Sequence, residues 1–432
     1  MLKRSLARIF AFCLLVWAAQ AQAILTIKIT QGLDKALPIA VVPFKTAAQV
    51  PVDVAEVVAA DLARSGRFAP MATQDMVSRP SEFSEVNFQD WRKLSMENLV
   101  VGTVTLTPAG TYDVEFRLID VYRAAQLTGY KINATAGNLR LTAHQISDII
   151  YEKLTGEKGA FATRIAYITV KGTAPRRTFT LQLADADGYN PQTILESPQP
   201  ILSPAWSPDG RQIAYVSFES GNSAIYVQNV LTGQRRVVAS GRGINSAPAW
   251  SPDGNKLAMT RSLDGNPEIY VLYLDANRFQ RVTDNPAIDT EPTWSPDGMN
   301  IAFTSDRGGG PQIYEVNLLD LQPKRITFDE GPYNARPRFS PDGQMLAMVH
   351  GSDGTYRIAV QNLKTGEFRV LTNTRLDESP SFAPNGSMII YATVGSRGTE
   401  LAAVSVDGRV RQRLASQEGV EVREPAWGPF RQ

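Results

Sequence analysis

The stretch PAWSPDG stands at Pro204–Gly210 and again, letter for letter, at Pro248–Gly254. It returns in altered form as PTWSPDG (Pro292–Gly298), PRFSPDG (Pro337–Gly343) and PSFAPNG (Pro380–Gly386), with a last fragment, PAWGP, at Pro425–Pro429. The aromatic position is held by Trp206, Trp250, Trp294, Phe339, Phe382 and Trp427, at spacings of 44, 44, 45, 43 and 45 residues. A fixed period of about 40–50 residues marks a chain built from stacked supersecondary units.

The segments between the motifs repeat as well. An alternating run comes first: QIAYVSF (212–218), KLAMTRS (256–262), NIAFTSD (300–306), MLAMVHG (345–351) and MIIYATV (388–394). A Gly-rich turn such as ESGN leads to a second run (AIYVQNV, EIYVLYL, QIYEVNL, RIAVQNL, ELAAVSV), and another turn leads to a short last one such as RRVVAS. With the Pro-x-aromatic strand innermost, each period makes four short antiparallel strands, which is one propeller blade. Ser-Pro-Asp-Gly is then a tight turn, with Pro at the second position, where its fixed φ fits, and Gly at the fourth. The large ring serves to pack one blade on its neighbour, since no blade buries both faces alone. Trp206 and Asp209 therefore read as architecture.

The sixth motif has nothing after it, whereas RIAYITV (164–170), TFTLQLA (178–184) and QTILES (192–197) form three strands with no motif before them. Joining the two ends resolves both oddities. Glu424–Trp427 supplies the inner strand of the first blade, leaving no open edge. The fold class expected is an α/β N-terminal domain (24–160) followed by an all-β six-bladed propeller (163–432) closed by the C-terminal strand.

Residues 24–160 lack the motif. Ile39–Phe44 reads as a buried strand. Asp53 caps a helix carrying Val54, Val57, Val58 and Leu62 on one face and stopped at Gly66. Asn98–Thr107 and Thr111–Val121 pair as strands, and Leu139–Thr155 is a second helix with Gly156 beyond it. The linker Gly156–Ala162 is short, so the two domains should touch. Ahead of them, Lys3, Arg4 and Arg8, an apolar run (Ile9–Ala19) too short to span a bilayer, and Ala21-Gln22-Ala23 make a secretory signal over residues 1–23 rather than a retained anchor. Its removal takes away Cys13, the only cysteine, and leaves 41 basic residues against 43 acidic from the original 44 and 43. A near-neutral chain without thiols attracts neither nucleic acid nor anionic lipid in general and is not membrane-inserted, which suits the periplasm.

Catalytic chemistry finds little support. The two histidines, His144 and His350, sit in different domains and read as surface or turn residues. No G-x-S-x-G elbow, P-loop or Cys/His cluster is present. Asp185–Asn190 has its Gly at the fourth position, where a calcium loop needs it at the sixth, so it reads as a plain turn. No cofactor or metal is expected, with one minority reading: Asp289, Glu291, Asp377 and Glu378 holding calcium in the propeller channel. The residues just before each Pro-x-aromatic should rim the channel mouth. They are Ile244, Asn245, Ser246 and Ala247; Asp289, Thr290 and Glu291; Asn334, Ala335 and Arg336; and Asp377, Glu378 and Ser379. They vary within a repeated frame, as a binding surface would. Ile24–Thr30 (ILTIKIT) is an apolar, β-patterned terminus, either an ordinary edge strand or a detachable one that pairs with a partner.

Signal, small α/β domain and six blades, with FESGNSAIYV, DTEPTWSPDG and SPQPILSPAWSPDG as the most specific stretches, resemble the TolB family of the Tol-Pal system over the whole chain. That resemblance implies a non-enzymatic adaptor that binds the lipoprotein Pal at the propeller mouth, contacts TolA through the mature N-terminal segment, supports outer-membrane invagination at division and envelope integrity, and is used by some colicins. It places the Pal contact at Ile244, Asn245, Ala247 and Thr290, to which the rim residues Glu291, Arg336 and Asp377 are added. The TolA contact falls on Ile24, Leu25, Thr26, Ile27, Lys28, Ile29, Thr30, Gln31, Gly32 and Leu33. The rival readings are a propeller enzyme, such as a calcium-dependent lactonase, and a small-ligand sensor.

Overall fold

The computed structural model describes residues 26–31, 36–47, 49–328, 331–395, 398–415 and 419–431. The N-terminal domain is one sheet with strands in the order Phe68–Pro70, Leu37–Val41, Asn98–Leu106, Tyr112–Asp120 and Ala125–Ala134; Lys45–Thr46 also pairs with Asn98–Leu106. Helices α1 (Val54–Arg64) and α3 (Leu139–Thr155) cover one face, burying Val58, Leu62, Ile146 and Ile150 against Ile39, Val100 and Phe116. The short α2 (Phe88–Lys93) seals the other face with the fully buried Trp91 against Leu99, Val101 and Ile119. Asp53 accepts the amide of Glu56 at 3.0 Å and so caps α1, while Gly156 ends α3 at φ +77°, a left-handed conformation that costs glycine little. The strand Ala125–Ala134 and α2 escaped sequence reading: the first is a largely exposed edge without clean alternation, the second too short for a periodic stripe.

The rest of the chain forms six sheets. Blade 1 joins Val420–Trp427 to Arg164–Lys171, Thr178–Asp185 and Gln192–Ser197, with Val420 opposite Lys171 and Trp427 opposite Ile165. Blades 2 to 6 begin with the inner strands Ile201–Trp206, Asn245–Trp250, Asp289–Trp294, Tyr333–Phe339 and Asp377–Phe382. Blade 6 carries a fifth strand, because Thr26–Gln31 pairs antiparallel with its outer strand Arg411–Ala415, from Thr26 opposite Ala415 to Gln31 opposite Arg411.

The repeated motif acts at two joints. Each Trp of blades 2 to 4 reaches back one blade. Trp206 Nε1 donates to Ala426 O, Trp250 Nε1 to Ala205 O and Trp294 Nε1 to Ala249 O, each at 3.1 Å. Ala205, Ala249 and Ala426 are themselves the residues just before the ring positions of the preceding blades, so the contact hands on from blade to blade. In the turns, Ser207 Oγ donates to Asp209 Oδ1 at 2.6 Å and accepts the Gln212 amide at 2.9 Å; Ser251, Ser295 and Ser340 repeat the arrangement. The turn glycine, at φ +68° in Gly210 and +73° in Gly254, faces the proline of the neighbouring turn: Pro429 for Gly210, Pro208 for Gly254. A side chain there would be strained by φ and crowded by that proline.

Trp250 separates the two contributions of its ring. Trp250→Ala is expected to cost about 3–5 kcal/mol as a large-to-small core change. Trp250→Phe keeps most of the packing but strands Ala205 O, and is expected to cost about 1–2 kcal/mol. Urea unfolding of the two variants tests this, and equal losses would mean that ring bulk contributes nothing beyond the N–H.

Candidate functional site

The inner strands share a distortion that no sequence pattern announced. Each slips register once, and the residue before its proline takes a positive φ: Ser203, Ala247, Glu291, Arg336, Ser379 and Glu424, between +49° and +57°. Positive φ is uncommon outside glycine, and its recurrence once per blade makes it a built feature. The six residues line a channel of about 440 Å³ whose wall also includes Trp206, Trp250, Trp294 and Trp427. Arg336 Nε lies 2.6 Å from Glu291 Oε1, and Arg336 Nη1 donates to Ser379 Oγ. Burial works against the Arg336 charge, but Glu291, Glu424 and Glu378 outweigh it and raise its pKa. Glu424 accepts the Ser203 amide at 2.5 Å, and burial pushes its carboxyl up against the pull of Arg336.

The mouth lies at the face where the inner strands begin. Ile244, Leu263, Ile288, Phe328, Leu376 and Val394 stand on or beside the loops of that face with 42–62% of their surface exposed. They belong to blades 3, 4 and 6 and stand outside the channel lining itself.

The expected mouth residues divide. Ile244 is exposed; Ala247, Thr290, Glu291 and Arg336 line the channel. Asn245 and Asp377, expected as contacts, are instead buried. Asn245 donates to Ser223 O at 3.1 Å and accepts from Arg261 at 3.1 Å, and Asp377 accepts from Thr372 Oγ1 at 2.5 Å and from Thr374. Their spacing along the chain matched that of the surface residues, but the strand pleat turns them inward. In this structure both hold loop and strand ends together. Of the four acids considered for calcium, three are engaged within the protein: Asp289 with Arg307 at 2.6 Å, Asp377 with its threonines and Glu291 with Arg336. The contributions of Ser203, Glu424 and Arg338 to the channel were not anticipated.

A second cluster of polar side chains lies where the domains meet. His144, expected at the surface, is 1% exposed; its Nδ1 is 2.7 Å from Asp61 Oδ2 and its Nε2 is 3.7 Å from Asp187 Oδ2 of blade 1. Asp187 belongs to the stretch read as a plain turn, and Gly188 N does close on Asp185 O at 2.7 Å, but the carboxylate crosses the domain boundary to Arg140. Burial alone would raise Asp187; Arg64, His144 and Arg140 outweigh it and hold it down to about 2. Among the described residues only Asp61, His144 and Asp187 bring three potential metal-ligand atoms within 4.8 Å of one another, and Arg64 and Arg140 already neutralise those carboxylates. His350, also expected at the surface, is buried and bonded to Asn334 at 3.0 Å. The linker is clamped by Asp148 on α3, which accepts the amides of Phe161 at 2.7 Å and Ala162 at 3.1 Å. The propeller also bonds the linker, through Asn385 Nδ2 to Lys158 O at 2.8 Å, and the N-terminal domain itself, through Gln412 Nε2 to Arg64 O.

Of the ten residues expected to form the N-terminal contact, Thr26, Ile27, Lys28, Ile29, Thr30 and Gln31 form the fifth strand of blade 6. Ile24, Leu25, Gly32 and Leu33 lie outside the described residues, as does the signal segment 1–23.

Known proteins resemble the chain along its length. The family described as "TolB amino-terminal domain" matches residues 25–127 and the "TolB beta propeller domain" matches residues 151–431. Curated relatives named Tol-Pal system protein TolB include those of Nitrosococcus oceani, 60% identical over 96% of both chains, and Xanthomonas campestris pv. campestris, 56% identical over 99% of this chain and 98% of that one. The crystal structure of TolB from Acinetobacter baumannii superposes with a TM-score of 0.88 at 43% identity, covering 94% of this chain and all of that one.

Burial pushes Asp148 up to about 6, against the pull of the two linker amides. A carboxyl raised in the folded state makes ionisation unfavourable there, so its penalty is absent below pH ~4 and complete above pH ~6. Stability should therefore fall by about 3 kcal/mol from this group as pH rises through that window. Urea midpoints of the parent and Asp148→Asn from pH 4 to 8 test this. The variant should lose that segment of the pH dependence, and parallel profiles would remove Asp148 from the account.

Proposed function

The chain belongs to the TolB family of Tol-Pal system proteins, and on that premise we propose that it is a non-enzymatic periplasmic adaptor with two docking elements. The propeller mouth receives the lipoprotein Pal, and the N-terminal strand is exchanged onto TolA. In this role the protein supports outer-membrane invagination at division and envelope integrity, and colicins borrow the same mouth.

The observation that carries the reading is the fifth strand of blade 6. Thr26–Gln31 joins the propeller at an outer edge through backbone pairing, with a register irregularity between Ile29 and Gln31. Backbone pairing is indifferent to which strand edge supplies it, so a strand held this way can be traded for the edge of a partner. The docked form leaves it unavailable to TolA, and the released form offers it. The exposed apolar side chains on the face where the inner strands begin support that face as the Pal site, because burying such side chains is how compact interfaces gain affinity. Both histidines are committed to internal hydrogen bonds, which favours an adaptor over the enzyme reading.

Ala247→Arg and Thr290→Arg each place a charge at the channel wall without disturbing the core. Each is expected to weaken Pal binding by about 2 kcal/mol or more, roughly thirtyfold, with unchanged thermal unfolding. Unaltered affinity in both would move the Pal site off the mouth. Removing residues 24–33 should abolish TolA binding and leave the propeller folded; retained binding would place the TolA contact elsewhere. Comparing Pal affinity with and without that segment measures the coupling between the sites, expected at about 1–3 kcal/mol.

A further inference from the structure

Between the two domains lies a cavity of about 390 Å³, separate from the channel apart from Trp427, which both share, and used by neither docking element. One side is built from the ends of α1 and α3 and from the linker, the other from blades 1, 5 and 6. Phe161, Met345, Met388, Val410 and Trp427 make much of it apolar. Three guanidinium groups, Arg64, Arg67 and Arg369, stand in its lining against two carboxylates, Glu157 and Asp407. Asp407 is occupied by Ser405 Oγ at 2.5 Å and by the Arg409 amide at 3.1 Å. Glu157 accepts from the Tyr151 hydroxyl at 3.4 Å and lies 3.6 Å from Arg67, with both charges about half exposed, while Arg369 is paired with Glu367 at 3.0 Å.

Arg64 is the informative residue. It is 9% exposed, its Nη2 is held by Asp61 at 2.8 Å, and its Nη1 is buried with no hydrogen-bond partner. A buried charged donor without an acceptor is an unfavourable state, and a rotation of the guanidinium toward the cavity that Arg64 lines would let an incoming anion relieve it. Apolar walls, in turn, hold water poorly and reward an apolar body. Clefts at domain interfaces with a few convergent polar groups are the usual form of small-molecule sites.

We propose that this cavity binds a monoanionic amphiphile: a carboxylate head on Arg64 and Arg67, with an aliphatic tail against Phe161, Met388 and Trp427. The ligand touches both domains and so splints them. It also rests on Val410 and Gln412, at the start of the outer strand whose far edge pairs with Thr26–Gln31. Binding here requires neither Pal nor TolA.

The test uses the intact two-domain protein and decanoate below its micelle concentration, with decanol as the uncharged control. Calorimetry should show saturable one-to-one binding of decanoate, about tenfold tighter than decanol, as one charge-assisted hydrogen bond requires. Hydrogen exchange should slow at residues 157–161 and 405–412. Met388→Trp, which fills the cavity, should abolish binding. Arg67→Glu at the exposed rim, which leaves the core intact, should weaken decanoate about tenfold and leave decanol unchanged. Absence of saturable binding, equal affinity for decanol, full binding by the Arg67→Glu protein, or protection confined to the channel strands would each overturn the proposal.

Discussion

The indole N–H of one blade reaching the backbone of the blade before it is the contact on which the rest of this molecule depends. It runs from Trp294 to Ala249, from Trp250 to Ala205 and from Trp206 to Ala426. The last of these lands on the strand that comes from the far end of the chain. Ring closure and blade stacking are therefore one interaction, repeated. Phe339 and Phe382 keep the bulk at the equivalent positions but have no N–H, so blades 5 and 6 rest on packing alone there. Trp427 spends its own N–H on Thr163 at 2.9 Å, where the linker enters blade 1. The closing strand thereby also anchors the junction with the N-terminal domain.

Because every inner strand runs in one direction along the channel, the ring has two chemically different faces. The face where these strands begin carries variable loops and several exposed apolar side chains. The face where they end carries the Ser-Pro-Asp-Gly turns, stitched together by side-chain hydrogen bonds and by glycine-proline contacts, and it receives the N-terminal domain. The variable face has freedom to diverge because the turn face fixes the geometry. The positive-φ residues sit between the two, and their strain persists because proline and the neighbouring blades over-determine them.

Blade 6 is where the functional elements converge. Its outer strand Arg411–Ala415 pairs with Thr26–Gln31 along one edge, while Gln412 bonds the end of α1 and Val410 packs against Gly66. Displacement of the N-terminal strand, movement at the domain junction or occupation of the interdomain cavity would each act on that one strand. Around the junction, Asp61, Arg64, Arg140, His144, Asp148 and Asp187 form a layer of ionisable side chains drawn from both domains. Removing one partner from such a layer leaves its neighbour charged and buried, so the layer resists gradual sliding and favours discrete arrangements.

Periodicity carried the architecture. The 44-residue phrase, the alternating runs and the unpaired fragments at the two ends were enough for six blades and for the identity of the closing strand, because these features arise from local rules of strand alternation and turn chemistry. The caps at Asp53 and Gly156 were legible for the same reason. The site was legible only as an address. Ile244 and Asn245 are adjacent in sequence, yet one meets solvent and the other is buried against Ser223 and Arg261, because the pleat and the bulge decide which way each side chain faces. His144 and Asp187 lie in different domains, and nothing in either segment announces the other. Burial of a polar residue, the strained backbone before each proline, and the docking of Thr26–Gln31 on blade 6 all arise from contacts between segments distant in sequence, and only the packed tertiary structure decides those.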